Sequence, residues 1–379
     1  MVKSNTINRR AYLAGIASTG AVGVAGCTGG ENGNGNGNGN GDTDDSADSG
    51  NGVAPYEDFD PDNPRETLPA LAPTLYENNL HEGTEAALEE AMERDLDEPR
   101  HGDPVWDEPD DEDEIVDPDV IQLAYGSGEE ADGIYQDLFY PLEENIEEET
   151  GREVEFNVME DYSATIEAFR SDRVHVSNFA TGTVPLAVNV GGAVPIGMPV
   201  NEGRYGYRLW LITRRDNDDI NSLEDLEGKT VAHSSDGSFS GHQAPSVLFE
   251  DEAGINPEED YNMVFSGGHN EGQLGVYHGD YDAAPIAAGS MQRVEDEIDF
   301  DEIKIVYMSE PFPFAPLCYM HNLHPDVKEG IERAVLDYDY AGTSIEEAID
   351  NTEWLEIDYA PVWDVVLQVQ QGLGMEYHS

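Results

Sequence analysis

Two successive runs of alternating strands and helices constrain the fold more than any other feature of this chain. The first run begins near Asp119 and the second near Gly206. The predicted strands are 120–125, 154–158, 174–177, 207–213, 229–232, 261–265, 283–284 and 304–308. Because helices separate most of these strands, each run predicts a largely parallel sheet with helices on both faces. The chain is therefore predicted to be an α/β protein with two lobes, residues 119–205 with 307–379 and residues 206–306.

Two extended passages, near 205–213 and 305–314, connect the two predicted lobes. Two lobes joined by a pair of crossing strands have a cleft between them and a hinge at the crossing. In such sheets a ligand binds beyond the carboxyl ends of the strands, where the following helices begin. The candidate binding residues are therefore expected at the junctions between strands and helices.

The charge of the chain excludes several kinds of partner. It has 379 residues with 81 Asp and Glu against 18 Lys and Arg, which gives a formal net charge of -63. Such a surface repels nucleic acid and anionic membranes. In molar salt the Debye length falls to about 3 Å, so self-repulsion is screened. We interpret the composition as that of a folded protein from a hypersaline environment, and no nucleic-acid partner is expected.

The N-terminus has the pattern of an export signal. Arg9 and Arg10 precede a short apolar stretch that ends at Gly26 and Cys27, a pattern typical of a twin-arginine lipoprotein signal. This predicts a signal peptide at 1–26 and a lipid on Cys27, which would anchor the protein to the outer face of the cytoplasmic membrane. Residues 27–52, rich in Gly, Asn and Asp, are predicted to be a flexible tether. Residues 53–118 form an acidic N-terminal extension in which a helix is predicted over Thr84–Arg94, and its role stays open.

Five junctions between strands and helices are rich in Ser, Thr, Gly, Tyr and His, and none of them contains Lys or Arg. They lie at 125–128, 161–163, 178–183, 234–241 and 266–270. Helix N-termini offer free backbone N–H groups and the positive end of the helix dipole, and serine adds hydroxyl donors. The junctions are therefore expected to bind a small anion without a fixed cation, although Ser and Gly at a single junction are more typical of helix caps.

From about 119 to 340 the chain resembles the periplasmic phosphonate-binding proteins, within the wider family of phosphate, phosphite and phosphonate binders. The segments that carry the resemblance are 161–168, 220–226, 238–241, 268–270 and 280–284. The resemblance implies a type II-like periplasmic-binding-protein fold whose two lobes close on a small phosphorus oxyanion. It also implies delivery to an ABC permease and its ATPase, with no catalysis and no cofactor.

The resemblance also implies a set of ligand-binding residues. Ser238, Ser240 and the backbone N–H of Phe239 would grip the oxyanion, while His269 and Tyr162 would donate further hydrogen bonds. The other junctions add Ser127, Asn178 and Phe179 to the candidates, and Phe179 stands where the family often has Tyr. No metal ligands are predicted.

Two departures from the family pattern bear on the ligand. Relatives that take aminoalkylphosphonates hold the ammonium group with carboxylates, and the corresponding positions here are Gly289 and Ala315. A buried ammonium group without a carboxylate partner is costly. The expected ligand is therefore phosphate, phosphite or an alkylphosphonate.

Three other functions fit parts of this sequence. A sulfonate, nitrate or other small anion is the main alternative, because such binders share the fold and the use of helix N-termini. A hydrolase is disfavoured because the serine in 237–241 is misplaced for the pattern G-x-S-x-G. A metal receptor is disfavoured because the histidines at 233, 242, 269 and 278 match no standard zinc spacing.

Overall fold

The computed structural model describes residues 59–125, 137–159, 162–201 and 203–377. The described chain contains two six-stranded mixed sheets, each with helices packed against it. The predictions for the signal peptide, for the lipid on Cys27, for the tether and for Ser127 lie outside the described residues. Within the described ranges, no helix is long and apolar enough to cross a membrane.

The first sheet lies in the first lobe and has the order β3-β2-β4-β11-β5-β12. Its strands are β2 (Val120–Ala124), β3 (Glu153–Asn157), β4 (Val176–Asn178), β5 (Ala193–Asn201), β11 (Leu317–Met320) and β12 (Asn351–Glu356). Strands β2, β3 and β4 run parallel, whereas β11 is antiparallel to both β4 and β5. The parallel part carries the predicted junctions at its carboxyl edge.

The second sheet lies in the second lobe and has the order β8-β7-β9-β6-β10-β1. Its strands are β1 (Ala70–Leu71), β6 (Leu209–Arg214), β7 (Thr230–His233), β8 (Asn262–Phe265), β9 (Ala283–Ala287) and β10 (Ile303–Met308). Strands β7, β8 and β9 are parallel, and β6 is antiparallel to β9 and β10. The two sheets therefore share one arrangement, three parallel strands continued by antiparallel ones.

Eleven α-helices are found in the described ranges. They are α1 (Ala72–Glu77), α2 (Glu85–Met92), α3 (Tyr140–Thr150), α4 (Tyr162–Arg170), α5 (Val184–Gly191), α6 (Ala244–Ala253), α7 (His269–His278), α8 (Pro325–Leu336), α9 (Ser344–Ile349), α10 (Tyr359–Val362) and α11 (Asp364–Gly372). Four begin just after parallel strands: α4 after β3, α5 after β4, α6 after β7 and α7 after β8. This confirms the predicted α/β class.

Two segments connect the lobes, the first crossing (residues 203–208) and the second crossing (residues 309–316). They pair with each other, because Tyr207 N donates to Phe312 O at 3.0 Å and Phe312 N donates to Tyr207 O at 2.7 Å. The last strand of the second sheet ends at Met308, inside the segment predicted for the first lobe. The predicted hinge of two crossing strands thus corresponds to a short antiparallel pairing between the lobes.

The described part of the N-terminal extension, residues 59–118, packs on both lobes. Strand β1 pairs with β10 in the second sheet, and Leu75 is buried in the core of that lobe. The backbone of Gly83 then pairs with the first crossing, and Leu88 on α2 packs into the core of the first lobe. Thr84 caps α2 through its hydroxyl, and α2 lies inside the predicted helix over Thr84–Arg94.

Candidate functional site

The turn after β7 places the predicted serines at the start of a helix. Residues Phe239–Gln243 form one π-helical turn that leads into α6, and Ser238 is its N-cap. The Ser238 hydroxyl accepts a hydrogen bond from Gly241 N at 3.1 Å. The first N–H groups of a helix have no acceptor within it, so the amides of Phe239 and Ser240 are available to an external anion. We call residues 238–241 the serine turn.

Gly241 is required at this turn for steric reasons. A Cβ on Gly241 would overlap the hydroxyl of Ser234, which lies directly beneath the turn. Ser234 is 2% exposed, and its hydroxyl has no partner among the described residues. The glycine thus lets the serine turn fold back on the end of β7, where Ser234 N donates to Gly241 O at 3.1 Å.

His269 faces the serine turn from the first residue of α7. Its Nδ1 accepts a hydrogen bond from Ala287 N, which leaves Nε2 as the protonated nitrogen of the neutral ring. Nε2 lies 3.4 Å from the Ser238 hydroxyl oxygen. Burial, together with the nearby Arg293, lowers the pKa of His269 to about 4. His269 is therefore a neutral hydrogen-bond donor at physiological pH, and its Nε2–H lies beside the Ser238 hydroxyl oxygen.

A second histidine pair supports the base of the serine turn. His233 Nδ1 lies 2.9 Å from His242 Nδ1, and His233 Nε2 lies 2.6 Å from the Tyr261 hydroxyl. His233 is fully buried, and this burial lowers its pKa to about 3. Because one histidine precedes the serine turn and the other follows it, their hydrogen bond holds the two ends of the loop together. Among the described residues no group of His, Cys, Asp and Glu is arranged to hold a metal ion.

The first lobe contributes apolar and buried polar groups. The ring of Phe179 is fully buried and packs edge-on against Phe169, at 5.2 Å between ring centroids. Asn178 is also buried, at the end of β4. Helix α5 begins at Val184, whose N–H donates to Ala180 O at 3.2 Å, and its second residue, Pro185, has no N–H, so neither of its first two residues offers a free amide to a ligand. Tyr162 begins α4, but its side chain lies outside the described residues.

The two lobes are in contact beside the serine turn. Gln370 Nε2, on α11 of the first lobe, donates to Gly182 O at 2.6 Å and lies 3.4 Å from Gln243 Oε1. A Cβ on Gly182 would lie 3.1 Å from Phe239 Cβ. This brings the junction at 178–183 against the serine turn, so candidates from both lobes border one region.

Four residues of this region were missed by the sequence reasoning: Ser234, Thr181, Tyr207 and Arg293. Ser234 and Thr181 fall inside predicted junctions, so the signal for them was present. Tyr207 lies in a crossing segment read only as a hinge strand, and Arg293 lies beyond β9, where no junction was predicted. Their proximity to the site depends on tertiary packing that no local pattern records.

Gly289 and Ala315, which replace the ammonium-binding carboxylates expected in some relatives, are both partly exposed. Gly289 lies just after β9, and a Cβ there would meet no atom within 4 Å. Ala315 lies in the second crossing, next to Phe314. The space beside Gly289 and the aromatic ring beside Ala315 are compatible with a small apolar group on a ligand.

These features are those of a two-lobed solute-binding protein, and comparison with known proteins agrees. Residues 129–360 match the family described as "ABC transporter, phosphonate, periplasmic substrate-binding protein". The match covers more than half of the chain, and the chain belongs to this family.

One known relative is similar to this chain over a shorter region. The chain is 29% identical over 175 residues to the phosphate-import protein PhnD of Mycolicibacterium smegmatis, a region that is 44% of this chain and 54% of the relative. The alignment therefore spans about half the length of that protein.

Two solved structures share the fold. One is a binding protein component of an ABC phosphonate transporter from Pseudomonas aeruginosa, with a TM-score of 0.52, 20% identity and coverage of 67% of this chain and 85% of that one. The other is PhnD1 from Prochlorococcus marinus in complex with methylphosphonate, with a TM-score of 0.54, 14% identity and coverage of 68% and 99%. This likeness confirms the predicted two-lobed periplasmic-binding-protein fold.

Proposed function

We propose that this protein is the extracytoplasmic solute-binding lipoprotein of an ABC importer, and that it captures phosphate, phosphite or an alkylphosphonate between its lobes. The observation that carries the proposal is the position of His269 Nε2–H, 3.4 Å from the Ser238 hydroxyl oxygen, at a turn whose first amides have no helical acceptor. All of these groups can donate hydrogen bonds to oxygen, which is what a tetrahedral oxyanion accepts.

Because His269 is neutral, it cannot form an ion pair with the ligand. It favours an anion that offers several oxygen atoms as hydrogen-bond acceptors. A lowered pKa keeps the ring uncharged, so binding depends on the number of donors rather than on an ion pair. Ser240, which is 3% exposed, adds a buried hydroxyl to this set. Buried donors left unpaired cost about 1–3 kcal/mol each, so an anion that offers fewer acceptors is disfavoured.

The absence of a carboxylate at Gly289 and Ala315 supports a ligand without an ammonium group. An ammonium buried there would lose its water without gaining a counter-charge from these two positions. We accordingly propose that methylphosphonate, phosphite or phosphate binds in preference to aminoethylphosphonate. Export by the twin-arginine pathway and a lipid on Cys27 complete the proposal, with the signal residues Arg9, Arg10 and Cys27 as support.

A thermal-shift series on the full-length protein in molar salt tests the ligand. The ligands are phosphate, phosphite, methylphosphonate, aminoethylphosphonate, sulfate, nitrate and taurine. Stabilisation grows with the logarithm of ligand concentration over the dissociation constant, so the true ligand gives the largest rise in Tm. We expect this rise with a phosphorus oxyanion, its loss in Ser240→Ala, and its retention in Ser235→Ala, an exposed serine of the same loop.

The contrary outcomes are distinct. A rise only with sulfate, taurine or nitrate would support the alternative, a binding protein for another small anion. A larger rise in Tm with aminoethylphosphonate than with methylphosphonate would contradict only the argument from Gly289 and Ala315. The lipid anchor is tested separately, because Cys27→Ser should release the protein from the cell surface into the medium while leaving ligand binding unchanged.

A further inference from the structure

Four hydrogen bonds behind His269 form a closed network between the start of α7 and the end of β9. Ala287 N donates to His269 Nδ1 at 3.3 Å, and Ser290 Oγ donates to Ala287 O at 2.7 Å. Gln273 Nε2 donates to Ser290 Oγ at 3.1 Å and to His269 O at 3.1 Å, which closes the network. We call these four hydrogen bonds the His269 network.

The two side chains that complete the network are shielded from the cleft. Gln273 is 0% exposed and Ser290 is 4% exposed, whereas His269 is partly exposed beside the serine turn. Gln273 lies four residues after His269, so both are on the same face of α7. A buried side chain of this kind acts on a ligand through the residue in front of it, which here is His269.

The protons of the network are fully assigned. A backbone N–H can only donate, so Ala287 N makes His269 Nδ1 an acceptor and leaves the proton of the neutral imidazole on Nε2. Ser290 uses its single proton on Ala287 O, and its oxygen therefore accepts from Gln273. One amide proton of Gln273 goes to His269 O, and the other goes to Ser290, where Oγ lies at 3.1 Å and O at 3.4 Å.

The amide of Gln273 has one productive orientation. Turning it over would place its oxygen against the carbonyl oxygen of His269, where a donor is needed. In the present orientation Gln273 Oε1 has no partner among the described residues. The amide thus contributes through its two donors alone, and an apolar side chain of similar length should be tolerated by the fold.

The orientation of His269 matters because a neutral imidazole has two tautomers. Only the tautomer with a proton on Nε2 presents a donor beside the Ser238 hydroxyl oxygen, 3.4 Å away. A ring that is free to turn or to change tautomer would present an acceptor there for part of the time, and an acceptor repels an oxyanion. Binding groups are most effective when buried partners hold them in one geometry.

We infer that Gln273 and Ser290 are positioning residues for His269: together they hold α7 against the end of β9, so that the imidazole keeps its Nε2–H beside the serine turn. The inference rests on the proposed function, since it makes His269 a donor to the ligand. It extends ligand recognition to two buried side chains that do not touch the ligand.

Gln273→Met and Ser290→Ala test the inference by removing donors of the network. Binding of methylphosphonate and of inorganic phosphate is measured by titration calorimetry in molar salt. We expect each variant to bind about 3- to 5-fold more weakly, less than the loss of His269 itself, because the ring is misplaced rather than removed. Both ligands should lose affinity alike, since both present oxygen atoms to His269.

Thr213→Val is the matched control. Thr213 is fully buried in the same lobe, and its hydroxyl donates to Asp282 O at 2.7 Å, a bond like that of Ser290. It pairs with Ala283, at the opposite end of β9 from Ala287. This variant should bind both ligands within about twofold of the unmodified protein. A loss as large as that of Ser290→Ala would mean that any buried hydroxyl of this sheet affects binding, and the inference would be wrong.

Repeating Gln273→Met in a His269→Leu background separates positioning from a general structural role. A residue that acts through His269 loses its effect once the imidazole is gone, so the two changes should be strongly non-additive. We expect the double variant to bind within about 1.5-fold of His269→Leu alone. If Gln273→Met costs as much in this background as it does with His269 present, the inference is overturned.

Nitrogen NMR of the histidine imidazoles in the ligand-free protein gives a second readout, because the two tautomers have different Nδ1 and Nε2 signals. We expect a single tautomer, protonated on Nε2, for His269 in the unmodified protein and in Thr213→Val. In Gln273→Met and Ser290→Ala a second tautomer or an averaged signal should appear. Unchanged His269 signals in both variants would overturn the inference.

The inference and the proposed function fail in different ways. If the unmodified protein binds neither methylphosphonate nor phosphate, the proposed ligand class is wrong, and the NMR comparison still shows whether the network fixes His269. If the unmodified protein binds one of them and both network variants bind it equally well, only the role of Gln273 and Ser290 is wrong.

Discussion

The two halves of the cleft are built on the same arrangement of strands, yet they present different chemistry. In the second lobe the junctions place hydroxyl, imidazole and amide groups beside one another, through Ser238, Ser240 and His269. In the first lobe the corresponding junction after β4 turns the ring of Phe179 into the core and directs Thr181 toward the hinge. We therefore propose that the second lobe supplies most of the polar contacts to the ligand and that the first lobe completes the enclosure.

The largest effect is expected from Gly241→Val in the second lobe. The new side chain would overlap the Ser234 hydroxyl and displace the serine turn from the end of β7. Because several donors move together, we expect ligand affinity to fall by at least about 100-fold, which corresponds to about 2.7 kcal/mol. Calorimetric titration with methylphosphonate measures the loss.

Gly237→Val is the matched control in the same loop. A Cβ at Gly237 meets no atom within 4 Å, and the residue is exposed. It should bind ligand within about twofold of the unmodified protein, well below 1 kcal/mol. Equal losses in the two variants would mean that the loop tolerates no side chain anywhere, and the steric argument for Gly241 would then be wrong.

A smaller effect is expected at His269. Replacing it with Leu removes the Nε2 donor, whereas Gln can present an amide N–H near the same place. We expect about a 10-fold loss of affinity for His269→Leu, or about 1.4 kcal/mol, and partial recovery in His269→Gln. Calorimetric titration of both variants with methylphosphonate measures the difference. If both variants bind like the unmodified protein, the donors of the second lobe do not include His269.

Acid is expected to destabilise the second lobe before the first. His233 and His269 have pKa values lowered to about 3 and about 4, while in the unfolded chain they bind protons near pH 6.5. Between pH 6.5 and these values the unfolded state binds more protons, so stability falls as pH falls through this window. In the first lobe, burial also lowers the pKa of His175 and of His321.

Hydrogen exchange followed by mass spectrometry, from pH 7 to pH 4.5, measures this difference. We expect amides of β7 and β8 to lose protection at higher pH than amides of β2 and β3. His233→Gln should reduce the pH dependence of β7 if it folds. A first lobe that loses protection at the same pH would show that the buried histidines of the second lobe do not determine the order.

The sequence predicted the parallel strands well and most of the antiparallel ones poorly. Strands β2, β7 and β8 contain short apolar runs, and β3 alternates polar and apolar residues. Because helices follow or precede them, the alternation of strands and helices identified all four. Strand β5 was missed because Pro195, Gly197 and Pro199 interrupt its pattern, although it lies between β11 and β12. Residues 317–320 were not predicted as a strand, yet they form β11, which is completely buried between β4 and β5.

Of the candidate site, the sequence placed the serine turn and His269 at helix N-termini, and the structure has them there. Hydrogen bonds between distant segments could not be predicted. Ala287 N fixes the tautomer of His269, and Tyr261 orients His233, and both partners lie on other elements. For the extension, the sequence predicted the acidic composition and one helix, but not the pairing with the first crossing, because that pairing depends on Gly83 fitting against Tyr205.

The smallest effect is expected in the first lobe, from Phe179→Tyr. Relatives in the family often have Tyr here, but in this protein the ring is fully buried against Phe169. An added hydroxyl would enter a close-packed region, where an unsatisfied polar group costs about 1–3 kcal/mol. We therefore expect a lower Tm with unchanged affinity for methylphosphonate, measured by scanning calorimetry and titration. A gain in affinity would instead place the tip of this ring at the ligand, and the contrast between a donor-rich second lobe and an enclosing first lobe would not hold.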